Sequence, residues 1–338
     1  MRAFVLTAPY TAAVLDVEAP TAGPGHVVVD IARVGVCGTD QEFYTGEMAY
    51  LTDGFAHYPL RLGHEWCGTI SAVGDGVDPG LLGRRTTGDT MLGCGTCYRC
   101  NSGRHHVCDS RSEIGVRHGW PGALAEQLLV PASALHLLPE TVDDTAGALV
   151  EPGGNALRAV KAAGLAPGDR VLIAGPGTIG LLAALFARSA GAEVHLLGTT
   201  TASLAFAASF GFDGVWSATD LPELAWDAVI DATNATHLPA MALDHVEPGK
   251  RVVYIGVAGR PSSIDSRALV LKDVTAVGIL GASAGLAETI AAYADGSVDP
   301  RPLVQATIGL DGLAKAFDGT PPAGAGPGPK LQVDPRWR

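Results

Sequence analysis

Residues 171–198 read VLIAGPGTIGLLAALFARSAGAEVHLLG. A short apolar run comes first, a G-x-G-x-x-G pattern follows at Gly175, Gly177 and Gly180, and a helix-forming stretch then leads to a second apolar run. In this strand–turn–helix context the glycines allow a tight turn and the close approach of a pyrophosphate, which the free N–H groups of a helix N-terminus stabilise. The stretch therefore predicts a dinucleotide-binding βαβ unit.

The chain around this unit changes character twice. The first 150 or so residues contain short apolar runs separated by glycine and proline, which is typical of a mostly β region. From EPGGNALRAVKAAGLAPGD at 151–169 onward, β-rich runs are separated by helical stretches, and the last fifty or so residues return to mixed segments. The alternation predicts a doubly wound parallel sheet, so the expected fold class is α/β with a second, mostly β domain.

Size and charge exclude several kinds of protein. The 338 residues suit two domains, and the net charge of −12 has no basic stripe to offset it, which argues against nucleic acid and anionic membrane surfaces as partners. The amino terminus lacks the features of a secretory signal, and the most membrane-like run, 171–187, is interrupted by glycine and proline. We expect a cytoplasmic protein.

Four of the six cysteines lie in GCGTCYRCNSGRHHVC, residues 93–108, with the spacing C-x2-C-x2-C-x7-C. Cytosolic thiols stay reduced, so this spacing favours metal binding over disulfides. Four thiolates can surround zinc without an open coordination position, which defines a structural site. An iron–sulfur cluster is the main alternative, but its usual bacterial run has a shorter last gap and a following proline. The predicted structural zinc ligands are Cys94, Cys97, Cys100 and Cys108.

The end of the second apolar run bears on cofactor choice. An acidic residue there would bind the ribose 2′-hydroxyl of NAD. This chain has Gly198, Thr199 and Thr200 instead, so hydroxyls that could bond a 2′-phosphate replace the carboxylate, although no arginine completes the contact. NADP is therefore favoured, with NAD as the alternative, and Thr178 and Ile179 complete the predicted cofactor-binding turn.

A second metal site is suggested by Cys37 in GVCGTDQE and by His64 and Glu65 in GHEWCG. A catalytic zinc takes about three protein ligands and keeps one position for water or substrate. By spacing alone, however, a lone cysteine and a lone histidine are more often core residues.

The motifs taken together are more specific. CGTD at 37–40, GHEWCG at 63–68, the four-cysteine loop and the glycine turn resemble, in order and separation, the zinc-containing alcohol dehydrogenases of the medium-chain dehydrogenase/reductase superfamily. The resemblance covers nearly the whole chain. It implies a GroES-like catalytic domain at 1–151, a Rossmann domain at 152–284, and a segment at 285–338 that returns to the catalytic domain. It also implies an active site between the domains, two zinc ions per chain, and a homo-oligomer, either dimer or tetramer.

The resemblance assigns roles residue by residue. Cys37 and His64 would bind the catalytic zinc, and Glu65 would be a third or an alternating ligand. Thr39 would pass on the proton of the alcohol. Zinc lowers the pKa of a hydroxyl, so that hydride can leave its carbon for the nicotinamide. Cys67 matches no ligand position and is expected to be a small buried residue.

Four further residues favour a polyhydroxylated small-molecule substrate. Glu42, Glu113, Glu151 and Asn155 occupy positions similar to those of the glucose, polyol and cyclitol branch, where Glu151 would lie at the zinc as a ligand or beside it and Asn155 would face the sugar. Structural roles are the alternatives: Glu42 at the surface, Glu113 in a loop or ion pair, and Asn155 as a helix-surface amide. The two glycines of EPGGN replace bulkier residues of that branch, which would widen or reshape the pocket.

Other functions stay open at this point. The same mechanism could act on an amino alcohol such as threonine or on a hydrophobic secondary alcohol. A non-catalytic relative and a zinc-free quinone-reductase-like enzyme are disfavoured because Cys37, Thr39, His64 and Glu65 are all present.

Overall fold

The computed structural model describes all of residues 1–338. The chain up to residue 149 contains nine strands and four short helices. The strands are β1 (Arg2–Ala8), β2 (Thr11–Asp16), β3 (His26–Gly35), β4 (Glu65–Val73), β5 (Arg85–Gly88), β6 (Met91–Leu92), β7 (Ser112–Glu113), β8 (Gln127–Pro131) and β9 (Leu135–Leu137). The helices are α1 (Gly38–Thr45), α2 (Ala49–Thr52), α3 (Tyr98–Asn101) and α4 (Asp144–Gly147).

The remaining chain alternates helices and strands. The helices are α5 (Val150–Ala163), α6 (Thr178–Ser189), α7 (Thr201–Ala208), α8 (Leu238–His245), α9 (Ser266–Leu271), α10 (Leu286–Ala294) and α11 (Leu313–Phe317). The strands are β10 (Arg170–Ala174), β11 (Glu193–Leu197), β12 (Gly214–Trp216), β13 (Trp226–Asp231), β14 (Val246–Tyr254), β15 (Thr275–Gly278), β16 (Val304–Ile308) and β17 (Lys330–Val333). No helix is both long enough and apolar enough to span a membrane.

Strand β3 lies at the centre of a seven-stranded sheet in the order β16-β17-β3-β4-β5-β9, with β8 also paired to β3. Its sequence, HVVVDIARVG, is rich in β-branched residues and is buried along most of its length, as expected of a central strand. In the antiparallel register of β3 with β4, Gly35 faces Glu65. This pairing brings the end of β3 beside the GHE segment.

The second sheet has six parallel strands in the order β12-β11-β10-β13-β14-β15. This is the doubly wound dinucleotide-binding order, in which ligands bind where the strand order reverses, at the carboxyl ends of the central strands. The predicted α/β fold class, with a mostly β domain and a Rossmann domain, is therefore confirmed.

The glycine turn lies between β10 and α6, at that switch point. Gly175 has φ +95°, a left-handed conformation that glycine adopts without a steric penalty. A Cβ at Gly180 would overlap the carbonyl oxygen of Gly175, so this glycine lets α6 pack closely on the strand, whereas a Cβ at Gly177 would meet nothing within 4 Å. That open space is where a pyrophosphate approaches the backbone in this kind of turn.

The final segment is divided between the two sheets. Helix α10 packs against α5, and Tyr293 stacks on Phe186 of α6. Strands β16 and β17 then join the seven-stranded sheet beside β3. The two glycines of EPGGN serve this packing, because a Cβ at Gly153 would overlap the Tyr293 hydroxyl and one at Gly154 would lie 2.9 Å from Cβ of Ala282. The space beside these glycines is thus filled by protein, so they do not widen a pocket.

Candidate metal centres and cofactor site

A thiol, an imidazole and a carboxylate meet where the two sheets adjoin. Cys37 immediately precedes α1, while His64 and Glu65 lie at the start of β4, and one ligand atom from each falls within 4.8 Å of the others. The β3–β4 register creates this cluster, because Cys37 follows β3 by two residues and Glu65 opposes Gly35. A Cβ at Gly35 would overlap the Glu65 carboxylate, so only glycine fits there.

Asp40 supports this cluster and was missed as a site residue, although it is the last residue of the CGTD motif. Its side chain is fully buried, and Oδ2 accepts a hydrogen bond of 2.9 Å from the Cys37 N–H. The other oxygen accepts from the Gly63 N–H at 3.3 Å and lies 3.6 Å from Nδ1 of His64. Burial raises the pKa of Asp40, against the opposing effect of His64. Asp40 therefore fixes the Cys37 backbone by a hydrogen bond and places a carboxylate beside the His64 ring, where carboxylates commonly lie next to metal-binding histidines.

Lys330 is the counter-ion of Glu65. Its Nζ donates to the two carboxylate oxygens at 2.8 and 2.7 Å and to the Val36 carbonyl oxygen at 2.9 Å, and both side chains are at most 3% exposed. Burial alone would lower the pKa of Lys330, but Glu65 and Cys37 outweigh it and raise the pKa. The lysine is thus a fixed cation that engages both oxygens of Glu65. Nothing in the local sequence of KLQV indicates this contact.

Glu151 approaches the same cluster from α5. Burial raises the pKa of its carboxyl to about 7, Glu65 adds to that rise, and His64 opposes it. Its Oε1 accepts a hydrogen bond of 2.8 Å from the side-chain amide of Asn155, one helical turn later. In the structure Asn155 therefore orients Glu151.

The donor set of Cys37, His64 and Glu65 fits a zinc ion with a position left for water or substrate, since thiolate, imidazole and carboxylate are the usual zinc ligands. Glu151 lies close enough to influence the charges of this set. When bound, zinc supplies a Lewis acid that polarises an alcohol or carbonyl oxygen.

The four cysteines of residues 94–108 form a separate group. The Sγ–Sγ distances are 3.9 Å for Cys94 and Cys100 and 3.8 Å for Cys97 and Cys108. A tetrahedron with Zn–S bonds of about 2.3 Å has edges of about 3.8 Å, whereas a disulfide is about 2.05 Å long. Backbone and side-chain hydrogen bonds from Thr96 lower the pKa of Cys94 to about 6, which favours its thiolate. The group fits a closed zinc cage.

The two histidines of this loop are engaged elsewhere. Nε2 of His105 contacts the Asp89 carboxylate at 2.7 Å. His106 is buried, and its Nε2 lies 3.5 Å from Nη2 of Arg158. Neither belongs to the group of four thiols.

The predicted cofactor residues surround the carboxyl ends of β10 and β11. Thr178 and Ile179 begin α6, and Gly198, Thr199 and Thr200 follow β11. The Thr200 hydroxyl caps α7, accepting the Ser203 N–H at 3.2 Å and lying 2.7 Å from the Ser203 hydroxyl. Thr199 is exposed.

The other predicted residues have varied surroundings. Thr39 is partly buried in the first turn of α1, and Glu42, in the same helix, has a pKa raised by burial and by Glu47. Glu113 is buried, and its carboxylate accepts hydrogen bonds from Arg111 and from the Tyr50 hydroxyl.

Cys67 is fully buried on β4. Burial raises the pKa of its thiol well above the ordinary value, and Sγ donates to the Asp144 carbonyl oxygen at 3.1 Å. It is an inert packing residue.

Known proteins are similar to this chain in both sequence and fold. Residues 23–140 match the alcohol dehydrogenase GroES-like domain, and residues 178–295 match the zinc-binding dehydrogenase family. An L-threonine 3-dehydrogenase of Deinococcus deserti is 30% identical over 90% of this chain and 91% of its own length.

Two solved structures are similar as well. One from Sinorhizobium meliloti, described as a zinc-binding dehydrogenase with NADP bound, is 28% identical and covers 99% of each chain with a TM-score of 0.89. Galactitol-1-phosphate dehydrogenase of Escherichia coli is 25% identical, with a TM-score of 0.87 over 99% of this chain and 100% of that one. With its two candidate metal-binding clusters and its Rossmann turn, the chain is an NAD(P)-dependent oxidoreductase that belongs to the zinc-containing alcohol dehydrogenases of the medium-chain dehydrogenase/reductase superfamily.

Proposed function

We propose that this dehydrogenase transfers hydride between NADP and a secondary alcohol, or the corresponding ketone or hemiacetal, of a sugar, polyol or cyclitol. The observation that carries the proposal is the cluster of Cys37, His64 and Glu65 beside Glu151. The group has the composition of a catalytic zinc site and lies apart from the four-cysteine cage, so we propose two zinc ions per chain.

In the proposed site Cys37 and His64 hold the metal, while Asp40 fixes the Cys37 backbone and lies beside the His64 ring. Glu65 and Glu151 are the candidates for the third ligand. Because Lys330 engages both oxygens of Glu65, we propose that Glu151 is the ligand at rest and that Glu65 alternates with it. Thr39, in the first turn of α1, passes the alcohol proton toward solvent.

The preference for NADP is supported by the end of β11. No carboxylate occupies Gly198, Thr199 or Thr200, so nothing there repels a 2′-phosphate, and the threonine hydroxyls can donate to it. NAD is the alternative cofactor.

We propose the domain division 1–151, 152–284 and 285–338. It is supported by the strands of the two sheets, because β10 to β15 form one sheet while β16 and β17 return to the other.

The preference for a substrate with several polar groups is supported by the carboxylates around the cluster and by Glu42 in the adjoining helix α1. An amino alcohol such as threonine is the second candidate. It is favoured by the similarity to L-threonine 3-dehydrogenase over most of both chains.

We also propose a homo-oligomer, a dimer or a tetramer. The proposal is supported by β15, which forms an exposed edge of the six-stranded sheet. Next to it, Val270 and Leu271 are 78% and 85% exposed, an unusual amount of apolar surface for a single helix.

A panel of alcohols assayed with NADP+ and with NAD+ tests the proposal. We expect polyols or threonine to be oxidised with a higher kcat/KM than hydrophobic secondary alcohols of similar size. Metal analysis should find about two zinc ions per chain. Faster turnover of simple hydrophobic alcohols than of every polar substrate would contradict the substrate class, and one zinc per chain would contradict the second metal site.

A further inference from the structure

Two arginines, a glutamate and two aromatic rings form a cluster beside the candidate catalytic site, which we call the arginine cluster. Arg111 donates from Nε to the Glu113 carboxylate at 2.8 Å and from Nη2 to the Tyr50 hydroxyl at 3.3 Å. Tyr50 donates its own hydroxyl hydrogen to Glu113 at 3.2 Å. The guanidinium of Arg117 covers the Phe55 ring, with Cζ 4.1 Å from the ring centroid.

Arg117 differs from Arg111 in having no polar partner. The residue is only 5% exposed, and Nε and Nη1 are buried without a hydrogen bond. None of the ion pairs of the structure includes it, and the carboxylate of Glu113, its partner in an antiparallel backbone bridge, is already engaged by Arg111. A buried guanidinium with unsatisfied donors costs free energy unless an anion or a hydrogen-bond acceptor reaches it.

The charges of the arginine cluster do not balance. Arg111 and Arg117 contribute two positive charges, and Glu113 contributes one negative charge, while Tyr50 is a neutral phenol whose pKa burial and Glu113 raise further. One further negative charge would complete the cluster. The neighbouring backbone is also unusual, since His118 has φ +58°, a left-handed conformation that is uncommon outside glycine and is frequent at ligand sites.

The cluster lies directly against the zinc-binding segment. The Ile114 N–H donates to the Thr90 carbonyl oxygen at 3.0 Å, and the Thr90 hydroxyl donates to the His64 carbonyl oxygen at 3.1 Å. A Cβ at Gly115 would come within 2.7 Å of the Gly63 carbonyl oxygen, so the turn that carries Arg117 touches the residue preceding His64.

The same strand pair also borders the cleft between the domains. Met91 pairs with Glu113, and its side chain lies against Gly281, beyond the last strand of the Rossmann sheet.

We propose that Arg117 binds an anionic group, a carboxylate or a phosphate, carried by the alcohol substrate. The inference rests on the proposed function, because the substrate is the molecule that enters this cleft, and it narrows that function to alcohols with a negative charge near the reacting carbon. The guanidinium offers a planar pair of donors that matches either oxyanion, and the Phe55 and Tyr50 rings hold it in position.

Binding measurements test the inference without requiring turnover. The protein is loaded with zinc and NADPH, in which state an alcohol binds without reacting, and two matched pairs of ligands are titrated by calorimetry. The pairs are 2-butanol with 3-hydroxybutyrate, and glycerol with glycerol 3-phosphate, whose members differ in one anionic group. We expect the charged member of at least one pair to bind about 10- to 100-fold more tightly. The pair that responds identifies the anion as a carboxylate or a phosphate.

Variants then assign the effect to one side chain. Arg117→Met should abolish the preference for the charged ligand and leave the affinity for the neutral one unchanged, whereas Arg117→Lys should retain part of it because the charge remains. The Tm of Arg117→Met should stay the same or rise, since an unpaired buried charge is removed. Arg188→Met is the matched control. Arg188 also covers a phenylalanine ring, with Cζ 4.9 Å from the Phe212 ring centroid, but it lies in the Rossmann domain.

Three results would overturn the inference: equal binding of charged and neutral members in both pairs, an Arg117→Met variant that keeps the preference, or one that loses Tm and both ligands together. The proposed function is judged separately by the alcohol panel. A protein that oxidises alcohols but shows no preference for the charged ligands refutes the inference alone, and one that oxidises none refutes the proposed function.

Discussion

The two candidate metal-binding clusters are assembled in opposite ways. The cage takes all four thiols from residues 94–108, in a loop where Cys94 is exposed and Cys97 and Cys100 are partly exposed. The catalytic candidate takes Cys37 from just before α1, His64 and Glu65 from the entry to β4, and Lys330 from β17 as counter-ion.

The difference shows that the geometry of one cluster is determined locally and that of the other by the whole fold. Ligands that lie within one loop depend on the spacing of residues and on the metal that joins them. Ligands from distant segments depend on sheet register and on the packing of buried charges. The cage should therefore tolerate changes in its surroundings, and the catalytic cluster should not.

The largest expected effect is on activity. Cys37→Ser or His64→Ala removes one ligand of the catalytic cluster, and kcat/KM should fall by about 10³-fold or more because Lewis-acid assistance is lost. Metal analysis should show one zinc per chain, retained by the cage. A folded variant that keeps parental activity with only the cage ion would show that the cluster has no catalytic role.

Lys330→Met tests the long-range support of the catalytic cluster. It leaves the Glu65 carboxylate buried and unpaired, so the free energy of unfolding should fall by about 3–5 kcal/mol in urea denaturation. Arg33→Met is the matched control, because its partner Asp334 lies just beyond the same strand but the pair is about 25% exposed, and the loss should be about 1 kcal/mol or less. Equal losses in the two variants would mean that burial of the Glu65–Lys330 pair has no special importance.

Cys97→Ser tests the cage. Loss of its zinc should lower the Tm by about 5–10 °C, since a metal cross-link of the loop disappears. Folded enzyme measured at low temperature should keep most of its kcat. A variant that also loses the catalytic zinc would show that the two sites depend on each other.

The smallest effect is expected for the ion pair at the surface of the cage. Arg99 and Asp109 approach within 2.5 Å, but both side chains are exposed. Asp109→Asn should leave the Tm and the zinc content unchanged, because water and salt screen such pairs. A measurable loss of zinc would assign the pair a role in holding the loop.

The same contrast explains what the sequence could predict. The glycine turn and the four cysteines each lie within one short stretch of sequence, so the spacing of their residues alone indicates their geometry. Asp40 could have been predicted as a site residue, because it is the last residue of the CGTD motif. Its approach to His64, however, depends on how α1 lies against β4.

Two other contacts depend entirely on long-range packing. Lys330 is 265 residues from Glu65, and no pattern in the chain connects them. The contacts of Tyr50 with Glu113 and Arg111, more than 60 residues along the chain, depend on how the segment around α2 folds back over β7.

The position of Lys330 also has a consequence for how the protein is made. On the ribosome, His64 and Glu65 emerge early, but the cation that neutralises Glu65 is synthesised 265 residues later. Until then the nascent chain carries a carboxylate that burial penalises, so water must remain at the GHE segment. The four cysteines of the candidate cage are all synthesised by residue 108, whereas the cluster of Cys37, His64 and Glu65 gains its counter-ion only after β17 has left the exit tunnel.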